Sequence, residues 1–419
     1  MISSRNDNTA TSEAAPKPEL VTRPKSGTPF ITDTFSELER CAQDLAAGHG
    51  PVAIDAERAS GFRYGQRAFL IQIKREGSGL WLIDPEAFSD LRIIHDALRG
   101  VEWILHAATQ DLPCLAEVGM WPDRLFDTEL AGRLAGFPRV GLAALLENKL
   151  NLTLAKEHSA ADWSVRPLPA DLRDYAALDV EFLVELRAAM VEELTQQDKL
   201  AIAEEEFAAI RKRPLPEPRK DPWRRTSGIS SIRTPEKLAI VRSLWTAREN
   251  LAESRDVAPS RLIKDQAIIA AATAEPTTVP QLLKLPAFVG RAASKEAPRW
   301  LRAIREGQRQ AEQPDELPAL RVHSTTPPPP RAWSDRDPLA ARRLQTARSW
   351  IGRAAEANNM PTENLLTPAT LKEICWRPPA NITPDSVRHH LVELGARNWQ
   401  VEIVSPILTV ALLDPDPLD

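Results

Sequence analysis

The chain has 419 residues, 43% of them hydrophobic and 26% charged, the composition of an ordinary water-soluble globular protein with length for roughly two to four domains. No stretch approaches the ~20 uninterrupted apolar residues of a membrane span. Positions 1–29, rich in Ser, Thr, Pro and Asn, lack the apolar core of a secretion signal and read as a disordered tail on a cytosolic protein. Cys41, Cys114 and Cys375 are scattered, which supports neither a zinc cluster nor a disulfide framework. The net charge of −5 hides an asymmetry, because residues 211–310 hold 21 Lys and Arg against 10 Asp and Glu. A basic block beside acidic flanks suits contact with a polyanion, and equally a solvated charged surface.

In chain order, residues 29–32 (PFIT) and 51–55 (PVAID) read as strands around an amphipathic helix, SELERCAQDLAAG. AFLIQIK (68–74) and LWLID (80–84) form a predicted hairpin pair joined through Glu76-Gly77-Ser78-Gly79. DLRIIHDALRG follows as a helix and VEWILHA (101–107) as a strand. From Asp111 to about Ile210 the pattern is mostly helical. Early strands and later helices predict a mixed sheet with helices on its faces over residues 30–210. A Pro- and charge-rich bridge spans 211–222. A second spans 312–338 and contains Pro327 to Pro330 in a row, a stiff extended connector. Between and beyond them, 223–311 and 339–413 read as all-α units, with an acidic tail at 414–419. The first of these units opens on a helix with Leu238, Ile240, Val241, Leu244, Trp245 and Leu251 at helical spacing. The other opens in the same style and reads as a diverged copy.

Three acidic elements carry the chemistry. Asp55 and Glu57 end the strand PVAIDAE, and side chains at i and i+2 project to one face. Like charges held together in this way accept a hard divalent cation, although Asp-x-Glu also occurs in solvated turns. Asp111 falls in the first turn of a helix after ILHAATQ, where an acid also complements the helix dipole. Tyr175 and Asp179, four apart in LRDYAALDVEFLVEL, share one helix face, a spacing that a core tyrosine beside a solvated aspartate would also show. His106 is read as satisfying a local hydrogen bond, and no G-x-x-x-x-G-K-[ST] phosphate loop is present.

The order of these elements resembles the tyrosine branch of the DEDD superfamily of 3′→5′ exonucleases, and most closely the ribonuclease D family. AIDAERASGFRYGQRAFLIQI, DTELAGRLAG and LAKEHSAADWSVRPL resemble that family's blocks in the same order. The resemblance implies a ribonuclease H-like mixed sheet over 30–210. It further implies that Asp55, Glu57, Asp111 and Asp179 bind two divalent ions, Mg²⁺ or Mn²⁺, and that Tyr175 orients the attacking water. Two such ions roughly 3.5–4 Å apart activate the nucleophile and stabilise the leaving oxygen in phosphodiester hydrolysis. A tyrosine with a pKa near its ordinary ~10 suits positioning a water better than deprotonating it. Lys156, Ser159, Asp162 and Trp163 either line the RNA groove or order the loop before the tyrosine helix.

Residues 223–311 resemble the HRDC domain, a helical nucleic-acid-binding module. Arg224, Arg225, Arg233, Lys237, Arg242 and Arg248 are its candidate phosphate contacts. The third unit fits the position of the family's second, HRDC-like domain, with a packing or ring-closing role. The expected function is a monomeric exoribonuclease that releases 5′-mononucleotides while trimming precursor tRNA or other structured RNA. A DNA exonuclease and a non-catalytic RNA-binding scaffold are the alternatives.

Overall fold

Val52, Ala53 and Ile54 are consecutive and fully buried, the pattern of a strand covered on both faces. In the computed structural model, which describes residues 17–154, 161–321 and 326–417, they form the centre of β3 (His49–Arg58). Five further strands complete its sheet: β2 (Ile31–Thr32), β4 (Ala68–Glu76), β5 (Gly79–Ile83), β6 (Glu102–Leu105) and β7 (Arg124–Asp127). The order is β2-β5-β4-β3-β6-β7. β4 runs antiparallel to both β3 and β5, and the remaining pairs are parallel. The tight β4–β5 turn depends on Gly77 and Gly79, both at positive φ (82° and 83°), a conformation that costs glycine little.

Register decides which way the acids face. Asp55 opposes Gln72 and Glu57 opposes Leu70, and directly opposed residues share a face. Leu70 packs with Trp163, Ala176 and Ala177, so this face is the one covered by the helix Ala170–Glu181. The alternate residues Ile71 and Ile73 join the larger core on the other side.

The hairpin and the first helix, Phe35–Ala47, form where the sequence places them. The segment after Asp111 holds two strands that the sequence reading missed, β7 and β8 (Leu152–Leu154). At four and three residues, they are too short for a two-residue period to show. β8 pairs in parallel with β1 (Glu19–Val21). The expected disordered tail is therefore corrected for part of its length, with Arg23 also reaching Asp174 at 3.3 Å. Residues 1–16 lie outside the described residues.

The unit after the first bridge has its own apolar core, in which Leu244, Ile268 and Trp300 are fully buried. It docks on the loop that leaves β3. Arg67 grips Asp256 through two hydrogen bonds (2.9 and 2.8 Å), the Ala258 N–H donates to the Phe62 carbonyl (3.0 Å), and Arg261 donates to the Gly61 carbonyl (2.8 Å).

The third unit starts earlier than residue 339. Trp333 is fully buried, packs at a tilt against Trp376 with ring centroids 4.8 Å apart and donates its indole N–H to the Pro328 carbonyl, so the end of the predicted connector is core. The predicted acidic tail also packs back, since the Asp416 N–H donates to Thr346 and Arg342 donates to the Asp416 carbonyl. This unit continues the apolar core of the sheet domain. Buried Lys199 pins the junction, donating to the carbonyls of Leu134 (2.7 Å) and Asn359 (3.0 Å). Nearby, the Trp399 indole donates to Glu206 (3.0 Å). In both helical units short helical turns lead into a twenty-residue helix, Pro235–Ser254 and Pro338–Ala357, started by a side-chain cap and a proline.

Candidate active site

The carboxylates of Asp55 and Glu57, from the end of β3, meet that of Asp179 from the helix Ala170–Glu181. One ligand oxygen of each lies within 4.8 Å of the others. They line a cavity of about 380 Å³ that also takes in Asp111, Tyr175, His106 and Arg58. The Asp111 carboxylate belongs to the same cavity but turns toward a cation, with Arg58 Nη2 at 3.3 Å from its Oδ1. Tyr175 lies one helical turn before Asp179 and its ring rests 6.1 Å from that of Trp163. All five residues named from the sequence therefore converge on one cavity, three of them in a single carboxylate cluster.

Electrostatics in the cavity run against ionisation. Burial raises the pKa of Asp55, and burial together with the charges of Asp55 and Asp111 raises that of Glu57 further. Asp111 is likewise raised by burial and by Asp55, with Arg58 opposing. Carboxylates crowded into a partly dry pocket are costly when ionised unless a cation joins them. An all-oxygen donor set from two elements fits a hard divalent ion. His106 contributes no ligand. It is hydrogen bonded to Thr128 (2.9 Å), and burial pushes it down to about 4, so it is neutral near neutral pH.

Asp127 was missed as a functional position. It caps the helix Thr128–Leu134 and also accepts from the backbone N–H groups of Ala107 (3.1 Å) and Ala108 (2.9 Å). Ala107 is left-handed at φ 60°, strained for a non-glycine residue, and Asp127 stabilises the turn that delivers Asp111. Its signal was present in DTELAGRLAG, as an N-cap aspartate followed two residues later by glutamate.

Trp163 is fully buried behind Tyr175, and Asp162 accepts from the Ser164 N–H and hydroxyl, so both order the loop. Lys156 and Ser159 lie outside the described residues. Among the six cations expected to meet phosphate, Arg248 is corrected. It is buried, at 2.7 Å from Asp265 and 3.1 Å from Glu249, and donates to the Ile263 carbonyl. Arg224 stacks on Trp223, Lys237 binds the Thr273 carbonyl, and Arg242 binds Gln310 and the Glu316 carbonyl. Arg225 and Arg233 are exposed. Trp245 is partly buried against the core of its unit, as the helical stripe requires.

A mixed sheet with acids gathered at one strand end, faced by a helix carrying Tyr-x-x-x-Asp, defines a 3′–5′ exonuclease module of the DEDD class. Family models agree in chain order: "3'-5' exonuclease" matches residues 29–195, "HRDC domain" 237–304, and "3' to 5' exonuclease C-terminal domain" 326–412. The third unit thus matches a model of its own. Ribonuclease D from Jannaschia sp. is 31% identical over 264 residues, covering 61% of this chain and 67% of that protein. The exosome complex exonuclease RRP6 of Saccharomyces cerevisiae is 28% identical over 270 residues, covering 60% of this chain but only 37% of the yeast protein. A crystal structure of a protein from Bifidobacterium adolescentis superposes with a TM-score of 0.86 at 39% identity, covering 94% of this chain and all of that one. The chain belongs to the ribonuclease D family. Among the described residues no helix is long and apolar enough to cross a membrane.

Proposed function

We propose that this chain is a metal-dependent 3′→5′ exoribonuclease that releases 5′-mononucleotides from structured RNA carrying a 3′ extension, precursor tRNA being the model substrate. The observation that carries the reading is the convergence of Asp55, Glu57 and Asp179 on one point, with Asp111 in the same cavity. These four carboxylates would hold two divalent ions, Mg²⁺ or Mn²⁺, which when bound supply nucleophile activation and charge stabilisation. Tyr175 would orient the attacking water through its hydroxyl, with Trp163 fixing the ring. The Asp127 cap holds the Asp111 turn ready, so little reorganisation is needed at the reacting centre. The HRDC unit sits on the loop that leaves β3, and so the surface suited to the RNA body adjoins the cavity for the 3′ end.

A 3′-extended tRNA incubated with the protein and Mg²⁺ is expected to shorten stepwise from its 3′ end, and EDTA is expected to stop the reaction. Cleavage first at internal sites, or faster digestion of a matched DNA strand, overturns the proposal. Tyr175→Phe keeps the ring on Trp163 and removes only the hydroxyl. It is expected to lower kcat by about 10²-fold with unchanged Mg²⁺ affinity in calorimetry. A wild-type kcat for that variant removes the tyrosine from the chemistry.

A further inference from the structure

Arg58 follows Glu57 directly, so strict alternation along β3 would send its side chain to the face opposite the two acids. The ladder slips at this point. Glu57 opposes Leu70 but Arg58 opposes Ala68, leaving Phe69 as an extra residue in β4. A bulge of this kind bends the strand end and re-aims side chains. As a result, Arg58 lines the same cavity as Asp55, Glu57 and Asp179, and it is the one Lys or Arg among the described residues that does so. Its side chain is 26% exposed, Nη1 donates to the Gln110 carbonyl at 2.6 Å, and Nη2 lies 3.3 Å from Asp111. One end of the guanidinium is thus held by a neutral backbone group, and the other by a carboxylate already assigned to metal binding.

Charge balance gives this cation a further task. Four carboxylates match the charge of two divalent ions and leave nothing for the phosphodiester. The negative charge of that group grows as a nucleophile adds, and positive groups aimed at the developing charge are the usual stabilisers. A guanidinium has five N–H donors in a planar fork suited to phosphate oxygens, and the contacts to Gln110 and Asp111 leave donors to spare. On the exonuclease reading above, we propose that Arg58 contacts the scissile phosphate, with Nη1 kept on the Gln110 carbonyl while Nη2 turns from Asp111 to a non-bridging phosphate oxygen. The rival role is that of a counter-ion that merely positions Asp111.

Full-length Arg58→Ala, Arg58→Gln and Arg58→Lys separate these roles, with hydrolysis of a 3′-extended RNA followed across a Mg²⁺ titration and metal affinity measured by calorimetry. The expected result for Arg58→Ala is a kcat lowered by about 100-fold at every Mg²⁺ concentration, with Mg²⁺ affinity equal to or tighter than wild type. Arg58→Lys should fall between the two, and added guanidinium ion should restore part of the rate to Arg58→Ala alone. Recovery of the wild-type kcat at high Mg²⁺, together with weakened metal binding, overturns the phosphate contact in favour of the counter-ion role. Wild-type kcat at all Mg²⁺ concentrations overturns both roles. If Arg58→Ala fails to fold, Arg58→Gln, which can still donate to Gln110, carries the same comparison. An active wild type with an equally active variant defeats this inference alone. A wild type inert with Mg²⁺ defeats the exonuclease reading and this inference with it.

Discussion

Asp55→Asn is expected to reduce RNA hydrolysis by on the order of 10³-fold or more, because on the proposed function it would remove one carboxylate of the metal site while preserving side-chain shape. Asp55 stands on the central strand between two hydrogen-bonded neighbours, β4 and β6, where an isosteric amide disturbs no packing. The cavity also holds three other carboxylates, so removing one charge relieves repulsion among the rest. The variant should therefore melt at the same temperature as the wild type or higher in EDTA, the usual trade between site function and fold stability. Inactivity with an intact or raised Tm is the expected signature. Turnover at the wild-type rate would remove Asp55 from the reaction, and inactivity with a collapsed Tm would mark it as structural.

Without metal, the fold is expected to lose stability as the pH rises above about 4. Burial and mutual repulsion raise the folded-state pKa values of Asp55, Glu57 and Asp111, whereas the unfolded chain titrates near the ordinary value of about 4. Above that value the folded state binds more protons than the unfolded state, so stability falls with rising pH until the raised folded values are passed. Buried Asp127, pushed up to about 6, adds to the same trend. Divalent ions would bind the ionised carboxylates and reverse the effect, with release of protons. With free Mg²⁺ about 100-fold above its Kd, the stabilisation is about 2.7 kcal/mol. Melting in EDTA and in Mg²⁺ from pH 5 to 8 should show a gap that widens with pH and narrows in Asp55→Asn. A gap that is constant across this range would show that the carboxylates are already ionised without metal.

The site was legible where the physics is local. The two-residue period of a strand placed Asp55 and Glu57 together, and the four-residue helix spacing placed Tyr175 beside Asp179. In both cases the fold kept the periodicity. Arg58 was illegible because the bulge at Phe69 in β4 breaks that same periodicity, and the register of a partner strand is not written in β3. Asp111 was named from the sequence, but its engagement by Arg58 depends on a turn at Ala107 and Ala108 that Asp127 holds from about twenty residues away. Arg248 shows the opposite failure. A basic count cannot distinguish an exposed guanidinium from one buried between Asp265 and Glu249. β7 and β8 are too brief to announce themselves, since short strands owe their existence to the neighbours they pair with. The mixed sheet followed by two helical units was legible because proline-rich bridges and long amphipathic helices are strong, local signals.

The continuity of apolar packing between the sheet domain and the C-terminal helices makes the chain discontinuous in folding terms. The HRDC module, with its separate core, is lodged as an insert inside a body assembled from the segments on either side of it. Deleting the middle should leave that body able to close, whereas a nascent chain halted before Trp333 would emerge with the Lys199 and Glu206 surface bare. The sheet domain is therefore sealed only once the segment from Trp333 onward has been made and has packed against it.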